Sequence, residues 1–398
     1  GFLVERGPAS LSQPSPEVTA LLELVGLWPR RISPLPVTAN RWTVRGGRLV
    51  PIPRSPLQLL RSPLLSPRGK LRLAGALVPH AAAAEEESLG TFVTRRLGRE
   101  ALERLADPFQ QGIFAGDPDH LSMTHAFPGL SAMEAEHGSL VRAAARGSGA
   151  RRTMVSFPGG VAELPATLAA QLPAPVRTGA AVHAARPHRD GWEVELQGGE
   201  CVIAPELVLA VPPRELGLLL VDADLTPALT QLTTMPAASL ATVALGYRRS
   251  SVTHPLNGVG VLMPHCERRQ ALGILFASSA FAGRAPDGHV LLTVLIGGVR
   301  QEPLVHLPEQ ALIEIATREA ATLLGARGAP VLSLVSRWPA AIPQFDLGHG
   351  RRVDAAHAVE HANAGLALAG AWRSGTGLAA ALESGMRAAR RLEGLVAA

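Results

Sequence analysis

The sequence predicts a mixed α+β protein whose domains are interleaved along the chain. Its 398 residues include 47% hydrophobic and 18% charged amino acids, a balance that provides for folded cores and argues against long disorder. Helical periodicity dominates the first half, and two groups of strand-like segments follow it. A short strand and a long helix then close the chain. Because helices and strands each occur in more than one stretch of the chain, their order favours interleaved domains.

The first half combines one hairpin with a long helical block. Residues 1–5 alternate like a strand edge, and residues 16–27 have a helical pattern. Residues 41–53 predict a hairpin that turns at Gly46 and Gly47. From about residue 56 to residue 147 the pattern is helical, with amphipathic segments inside it.

The second half predicts two groups of strands and the helices that accompany them. The pair Gly159-Gly160 opens one helix, and others are predicted at residues 307–324 and 376–396. Short apolar segments between turn residues predict the strands. The predicted strands are residues 176–184, 192–196, 201–211, 240–247, 258–263, 272–277, 289–296, 331–338 and 365–369.

Charge and composition exclude several functions. The net charge is +5, and the basic residues are scattered rather than gathered in a dense patch. Together with an aromatic content of 4%, this argues against a nucleic-acid partner. Two cysteines, Cys201 and Cys266, make no disulfide framework and fit a reducing, cytoplasmic setting. No run of about 18 apolar residues is present, so no membrane-spanning helix is expected.

A glycine-rich turn near the C-terminus joins a buried strand to the closing helix. On spacing alone, Gly375-x-Gly377-x-x-Ala380 resembles a dinucleotide fingerprint, and backbone N–H groups at such a helix start favour electron-rich ligand atoms. No strand follows that could carry a ribose-binding acid, which argues against that fingerprint. A tight turn without any ligand is an equally good interpretation of the spacing.

A second pattern, His357-x-x-Glu360-His361, matches the inverted zinc-peptidase motif. A third ligand would have to come from further along the chain, where Glu383 and Glu393 are the remaining acidic residues. A solvated helix with two histidines is the favoured interpretation, and no metal is predicted.

Two further features suit a flat ligand that bears carboxylates. Arg41 begins a predicted strand, where it is either an exposed strand arginine or a clamp for a carboxylate. Gly112 and Gly116 lie in a glycine-rich segment after a helix, which is either a simple cap and turn or backbone placed close to a ligand. Composition leaves both alternatives open.

Taken in order, five segments resemble the oxygen-dependent protoporphyrinogen and coproporphyrinogen oxidases, which belong to the flavin amine-oxidase superfamily. The segments are GFLVERGPAS, ESLGTFVTRRLGREALERLADPFQQGIFAGDPDHLSMTHAFPGL, FPGGVAELPATLAAQL, RWPAAIPQFDLGH and LAGAWRSGTGLAAALESG. The resemblance implies an α+β / α/β fold in which an incomplete Rossmann-like FAD-binding domain is interleaved with a mixed-sheet substrate domain and a helical membrane-associated domain. The implied boundaries are 1–34, 155–222 and 347–398 for FAD binding, 35–53 and 223–346 for substrate, and 54–154 for the helical domain.

The resemblance also implies an activity. It is the FAD-dependent, six-electron oxidation of protoporphyrinogen IX to protoporphyrin IX in haem biosynthesis, with molecular oxygen as acceptor and hydrogen peroxide as product. Coproporphyrinogen III is the alternative substrate. Another flavin amine oxidase or desaturase is a further alternative, although Tyr247 is the only tyrosine from which an aromatic cage could be built. A truncated, FAD-free and inactive chain is the alternative that is not an enzyme.

The residues that the resemblance implies fall into two sets. The substrate set is Arg41 against a propionate, the Gly112 carbonyl facing the pyrrole nitrogens, and Val259, Leu262, Leu275 and Phe276 around the tetrapyrrole. The flavin set is Gly7, Pro8, Ala9, Ser10, Val182, Trp338, Thr376, Gly377 and Leu378. No side-chain base is implied, because the flavin carries the chemistry.

The implied partners are a porphyrinogen, oxygen, an anionic membrane surface, ferrochelatase for product transfer, and a second copy in a homodimer. The implied location is the cytoplasm or the inner face of the cell membrane. The chain departs from the family at Gly370-Ala371-Trp372-Arg373, where Gly-Asn-x-Tyr/Phe is usual, and at Ala379-Ala380-Ala381. The family's N-terminal Gly-x-Gly-x-x-Gly unit does not precede Gly1, so we expect weak FAD binding.

Overall fold

The structure is a computed structural model that describes residues 1–12, 14–74, 85–137, 154–220 and 226–396. Its strands are, in chain order, β1 (Leu11–Ser12), β2 (Trp42–Arg45), β3 (Arg48–Pro51), β4 (Met154–Val155), β5 (Val182–His188), β6 (Gly191–Leu196), β7 (Cys201–Ala204), β8 (Leu207–Leu209), β9 (Ala237–Arg248), β10 (Gly260–Leu262), β11 (Gly273–Leu275), β12 (His289–Gly297), β13 (Leu332–Pro343) and β14 (Leu366–Leu368).

The α-helices are numbered in the same way. They are α1 (Pro16–Leu24), α2 (Pro56–Arg61), α3 (Pro67–Ala74), α4 (Leu89–Leu97), α5 (Arg99–Ala101), α6 (Asp107–Phe114), α7 (Met123–Ala126), α8 (Pro128–His137), α9 (Glu163–Ala170), α10 (Pro213–Leu219), α11 (Thr226–Thr233), α12 (Ala277–Ala280), α13 (Glu309–Leu324), α14 (His349–Ala362) and α15 (Leu378–Val396). A π-helical turn, Leu102–Ala106, joins α5 to α6.

The chain divides into two compact units. The first consists of Gly1–Ser10, Arg30–Val161 and Ala237–Leu347, and the second of Leu11–Pro29, Ala162–Pro236 and Gly348–Ala398. The helical block predicted at residues 54–154 thus falls in the same unit as the predicted substrate domain. Of that block, residues 75–84 and 138–153 lie outside the described residues. The finer division into three interleaved domains stays a prediction.

A seven-stranded mixed sheet organises the first unit, in the order β13-β9-β12-β11-β10-β2-β3. All neighbours are antiparallel except β10 and β2, which run parallel. The β2–β3 hairpin turns at Gly46 and Gly47, with φ of 57° and 74°. A two-residue turn with both φ values positive matches the right-handed twist of the strands, and glycine adopts it without strain.

The core of the first unit lies between this sheet and α13. Ten consecutive residues of β9 are buried, as expected for a strand covered on both faces. Leu312 and Ala316 of α13 are fully buried and belong to one cluster with Leu292 and Val294 of β12. Gly325 ends α13 in the left-handed conformation, with φ of 62°.

The second unit contains a three-stranded antiparallel meander, β5-β6-β7, and a parallel pair, β8 and β14. Trp192 of β6 is 1% exposed, and its indole N–H donates to the carbonyl of Ala364 at 3.1 Å. Ala367 and Ala369 pack against Ala388 and Leu392 of α15, so the closing helix covers β14. Small residues on the strand allow this close approach.

The predicted mixed fold is confirmed, with local shifts that have simple causes. The predicted strand at residues 201–211 is divided into β7 and β8, because Pro205 has no N–H to donate to a ladder. The predicted strand at residues 331–338 continues to Pro343 past a bulge after Trp338. Within the described ranges, no helix is long and apolar enough to cross a membrane.

Candidate functional site

The sheet of the first unit carries Leu262 and Leu275 on one face. The register of β10 and β11 pairs Leu262 with Gly273 and Leu275 with Gly260. Each leucine therefore lies opposite a residue without a side chain, and both leucines are half-buried. On each strand, the side chain between the leucine and the glycine two positions before it points to the opposite face and lies in the core. Because the opposing glycines have no side chains, the two leucines form a shallow apolar surface on this face.

Arg41 and Val259 lie beside these leucines. Strand β2 runs parallel to β10, with Thr43 in register with Leu262. Arg41 precedes Thr43 by two residues, so alternation directs it to the same face as Leu262. The N–H of Val259 donates to the carbonyl of Asn40 at 3.0 Å, next to Arg41 in the chain. Because the Arg41 side chain is exposed, it can meet a carboxylate at the border of the apolar surface.

Gly112 borders the same surface from the C-terminal turn of α6. A Cβ placed on Gly112 would lie 3.2 Å from Leu262 Cδ2, a tight contact that the missing side chain avoids. The last carbonyls of a helix lack intrahelical partners. The carbonyl of Phe114 accepts from Gln344 Nε2 at 2.8 Å, and that of Gly112 belongs to the same turn. The negative end of the helix dipole favours N–H donors there.

Phe276 packs in the core rather than on this surface. Its side chain is 0% exposed, and its ring centroid lies 5.5 Å from that of His254. Its N–H donates to the carbonyl of Val259 at 2.9 Å. A contact between the Phe276 side chain and a ligand is not supported by this burial and stays a prediction.

Asp107 anchors the start of α6 through a buried carboxylate that sequence reasoning missed. It is 3% exposed and accepts from the side-chain amides of Gln110 and Gln111 at 3.1 and 2.8 Å. It also accepts the backbone N–H of His265 at 3.1 Å and pairs with Arg300. The available signal was an acidic residue directly before a proline in the helical block.

The N-terminal segment lies across β9 and β13. The carbonyl of Arg6 accepts hydrogen bonds from Thr242 Oγ1 and Trp338 Nε1, each at 2.8 Å. Arg6 Nε donates to Ser336 Oγ at 2.9 Å. A Cβ placed on Gly7 would lie 3.3 Å from the Trp338 ring, so glycine permits the close approach. The structure therefore brings together Gly7 and Trp338, two members of the predicted flavin set.

A buried ion pair holds this segment. Arg284 is 2% exposed and lies 3.3 Å from Glu5 Oε1. Its guanidinium also donates to Ser156 Oγ at 2.7 Å and to the carbonyl of Phe157 at 3.2 Å. Burial raises the pKa of Glu5, although the N–H of Val161 and the charge of Arg284 oppose that shift. The signal for both residues was a charge inside an otherwise apolar segment.

Four residues of the predicted flavin set belong to the second unit. Thr376 and Gly377 lie immediately before α15, and Leu378 is its first residue. Val182 begins β5 and pairs with Leu196. The remaining members, Pro8, Ala9 and Ser10, follow Gly7 in the first unit.

Each unit separately offers features that fit parts of a flavin. In the first unit, bare Gly7 backbone lies against an indole ring, which suits a flat ring system. In the second, the start of the long helix α15 supplies backbone N–H groups, and a Cβ on Gly377 would meet no atom within 4 Å. Which of these residues contact the cofactor stays a prediction.

Glu360 is committed to structure rather than to a metal. It is 2% exposed, pairs with Arg373 and accepts the N–H of Leu368 at 2.8 Å. Arg373 also donates to the carbonyl of Leu368 at 2.7 Å, so this pair shapes the loop that departs from the family pattern. Among the described residues, no group of three or more His, Cys, Asp or Glu side chains could hold a metal ion.

Comparison with known proteins gives the family of the chain. The profile of the family "Flavin containing amine oxidoreductase" matches residues 1–392. The chain is 29% identical to protoporphyrinogen oxidase 2 of Arabidopsis thaliana, covering 98% of this chain and 84% of the relative. It is 26% identical to coproporphyrinogen III oxidase of Bacillus subtilis, covering 98% and 86%. The crystal structure of a putative protoporphyrinogen oxidase from Exiguobacterium superposes with a TM-score of 0.85 at 23% identity, covering 99% and 88%.

Proposed function

The chain belongs to the flavin-containing amine oxidoreductase family, which implies FAD as its cofactor, and we propose that it oxidises a porphyrinogen to a porphyrin. One observation of the structure carries the proposal. The apolar surface of Leu262 and Leu275 has a helix C-terminus at Gly112 on one border and Arg41 on another. A porphyrinogen is apolar, carries pyrrole N–H donors and bears propionates, so each of these features matches one part of it.

The residues of this surface bind and orient rather than exchange protons. Leu262 and Leu275 contact the tetrapyrrole and exclude water from it. The Gly112 carbonyl accepts from pyrrole N–H groups, and Arg41 pairs with a propionate, which together fix the orientation of the ring. When bound, FAD supplies the hydride acceptor. No side-chain base is proposed, and oxygen as the final acceptor, with hydrogen peroxide as its product, belongs to the proposal.

The substrate is proposed to be protoporphyrinogen IX, with coproporphyrinogen III as the second candidate. A relative named for each substrate aligns over 98% of this chain, at 29% and 26% identity. The apolar surface suits the vinyl-bearing protoporphyrinogen, whose two propionates need fewer cationic partners than the four of coproporphyrinogen.

The test supplies the purified protein with FAD and each porphyrinogen in air and follows porphyrin fluorescence and hydrogen peroxide. We expect faster formation of protoporphyrin than of coproporphyrin. Flavin absorbance that stays with the protein during gel filtration checks cofactor binding. Protein that keeps FAD but forms neither porphyrin would point to another flavin oxidase, and protein that keeps no FAD would favour the inactive alternative.

Arg41→Ala tests the clamp within the same assay. We expect it to raise KM for the porphyrinogen about tenfold or more, since a charge-assisted pair with a carboxylate is lost. The flavin content should stay unchanged. Arg48→Ala, at an exposed arginine of the same hairpin, is the matched control and should change neither quantity. Equal loss of flavin and of substrate binding would contradict the assignment.

Surface and partner contacts are proposed at the helical part of the first unit. Leu57 and Leu60 of α2 are 57% and 60% exposed, and Arg61 ends the same helix. Apolar side chains beside basic ones suit the interface of an anionic membrane. Transfer of product to ferrochelatase, a homodimer and a location at the inner face of the cell membrane belong to this proposal. Sedimentation with anionic and neutral vesicles tests the membrane contact.

A further inference from the structure

A cluster of charged and backbone groups ties together three elements that border the apolar surface. The turn His265–Glu267 follows β10, which carries Leu262. Three successive residues of this turn contact the helical segment that leads into α6. The N–H of His265 donates to Asp107 Oδ2 at 3.1 Å, Cys266 Sγ lies 3.7 Å from the carbonyl of Glu103, and Glu267 pairs with Arg104.

The same turn also holds the hairpin that begins beyond Arg41. The Glu267 carboxylate accepts the backbone N–H groups of Gly46 and Gly47 at 3.1 and 3.2 Å. Two backbone donors and one guanidinium thus converge on one carboxylate whose side chain is 8% exposed. Glu267 therefore connects the hairpin tip, the β10–β11 turn and the helical segment.

These contacts lie close to two residues of the candidate site, Gly112 and Leu262, whose relative position they can affect. Asp107 is the first residue of α6, and Gly112 lies five residues later on the same short helix. A Cβ added to Gly112 would lie 3.2 Å from Leu262 Cδ2, so the backbone of α6 approaches this leucine closely. Releasing the turn from the helix would therefore change the position of the Gly112 carbonyl relative to Leu262. Water can reach the exposed N–H groups of Gly46 and Gly47 if Glu267 is lost, whereas the buried amides of Gln110 and Gln111 would lose a partner if Asp107 were removed.

We propose that Asp107 and Glu267 are positioning residues that fix Gly112, Leu262 and Arg41 relative to one another and so set which tetrapyrrole the surface accepts. This inference rests on the proposed function. Neither residue touches the substrate, and both act through backbone that does. Loss of either alters discrimination between tetrapyrroles of different width and charge, because the helix carbonyl, the leucine surface and the arginine then move independently.

The two native cysteines allow a test that needs neither cofactor nor substrate. Cys266 is exposed at the edge of the cluster, where its Sγ contacts the Glu103 carbonyl, and the exposed Cys201 in β7 of the other unit is the internal control. Alkylation of each is followed by mass spectrometry over a pH range in the wild type, Asp107→Asn and Glu267→Gln. Partial burial raises the pKa of the Cys266 thiol, Arg104 opposes that shift and the neighbouring carboxylates add to it, so the rate constant of the fully ionised thiolate is the quantity compared.

We expect that rate constant to rise about twofold or more at Cys266 in both variants, because the exposed thiol is released from its contact with the helical segment, and to stay unchanged at Cys201. Arg99→Gln, which removes an exposed ion pair with Glu103 on the same helical segment, is the matched control and should leave both rates unchanged. Unchanged Cys266 rates in folded Glu267→Gln protein would overturn the anchoring role.

A second experiment measures the Kd of protoporphyrin IX and of coproporphyrin III by fluorescence in the same proteins. Both variants should change the ratio of the two Kd values about threefold or more, whereas Arg99→Gln keeps it. A merely structural role predicts a lower Tm and less active protein with the ratio unchanged, and that result overturns the proposal. If the wild-type protein binds neither porphyrin, the proposed function is wrong, whatever the cysteine rate constants are. The role of Asp107 and Glu267 in substrate selection is then wrong as well.

Discussion

The seven-stranded sheet, which is antiparallel except between β10 and β2, and the antiparallel three-stranded sheet differ in burial. Ten consecutive residues of β9 are buried, whereas none of the four residues of β7 is. Burial on both faces fixes the register of β9, since a slip by one residue would expose its apolar side chains. The first sheet can therefore hold ligand-contacting side chains at defined positions, while β7 contributes mainly backbone pairing.

The predicted substrate residues and the predicted flavin residues are distributed differently over the two units. All predicted substrate residues lie in the first unit, on or next to neighbouring strands and one helix, whereas the predicted flavin residues are distributed over both units. Substrate residues inherit their order from strand register. The predicted flavin residues come from the N-terminal segment, from the turn before α15 and from single positions on β5, β13 and α15. The contrast predicts that substitutions at buried positions of the first unit cost more stability than substitutions at exposed positions of the three-stranded sheet.

The largest effect is expected at the buried ion pair of the first unit. Arg284→Ala should lower the free energy of unfolding by about 3–5 kcal/mol, because Glu5 and several oxygen acceptors would stay buried without their partner. Arg186→Ala removes a more exposed pair with Glu195 in the three-stranded sheet and should cause no measurable change. Denaturant unfolding of both variants measures the difference, and equal losses would contradict the contrast.

A smaller difference is expected for apolar side chains on the two sheets. Leu292→Ala in β12, at 0% exposure, should cost about 2–5 kcal/mol through lost burial and the cavity left behind. Ile203→Ala in β7, at 52% exposure, should stay within about 0.5 kcal/mol of the wild type. Thermal and denaturant unfolding provide the measurement. A large loss at Ile203 would mean that β7 is covered by something else in solution.

The sequence predicts local elements well because hydrophobic alternation and turn residues report directly on them. Gly46 and Gly47 predict a two-residue hairpin turn, and the structure has it with both φ values positive. Leu262 and Leu275 come from the family resemblance, and strand register puts them on one face. Phe276 shows the limit, since its position in the chain does not reveal that it faces the core.

Contacts between distant parts of the chain could not be predicted from one sequence. Glu5 and Arg284 are separated by most of the chain, and no local period links them. The same holds for Asp107 with His265 and Arg300, whose pairing depends on how the helical segment packs on the sheet. The favoured interpretation of the His357-x-x-Glu360-His361 pattern is a solvated helix, whereas Glu360 is buried and pairs with Arg373.

Two glycines of the second unit allow a packing role to be distinguished from contact with a ligand. A Cβ on Gly375 would lie 2.8 Å from that of Ala380, so Gly375→Ala should cost about 1–3 kcal/mol. A Cβ on Gly377 would meet nothing within 4 Å, so Gly377→Ala should keep the stability of the wild type. If Gly377 contacts the flavin, that variant should nevertheless retain less FAD after gel filtration. Unchanged FAD retention would remove Gly377 from the flavin set.

The smallest effect is expected in the pH dependence of stability. Burial works to raise the pKa of Glu267, but Arg104 and the N–H groups of Gly47 and Gly46 outweigh it and hold that pKa below 4.5. A carboxyl whose folded pKa is depressed stabilises the protein above its unfolded pKa, and the contribution is lost as the pH falls through the folded value. Glu267→Gln should therefore flatten the loss of stability on acidification below pH about 4.5.

The matched variant is Glu195→Gln in the three-stranded sheet. Hydrogen bonding to Arg186 lowers the pKa of Glu195 as well, but this pair is exposed to solvent and screened by salt. Its acid unfolding curve should follow the wild type at moderate ionic strength. Unfolding free energies measured from neutral to acidic pH at two salt concentrations test both expectations. A salt-sensitive Glu267 contribution would mean that solvent reaches its carboxylate, and the contrast between the two sheets would then be weaker than their burial indicates.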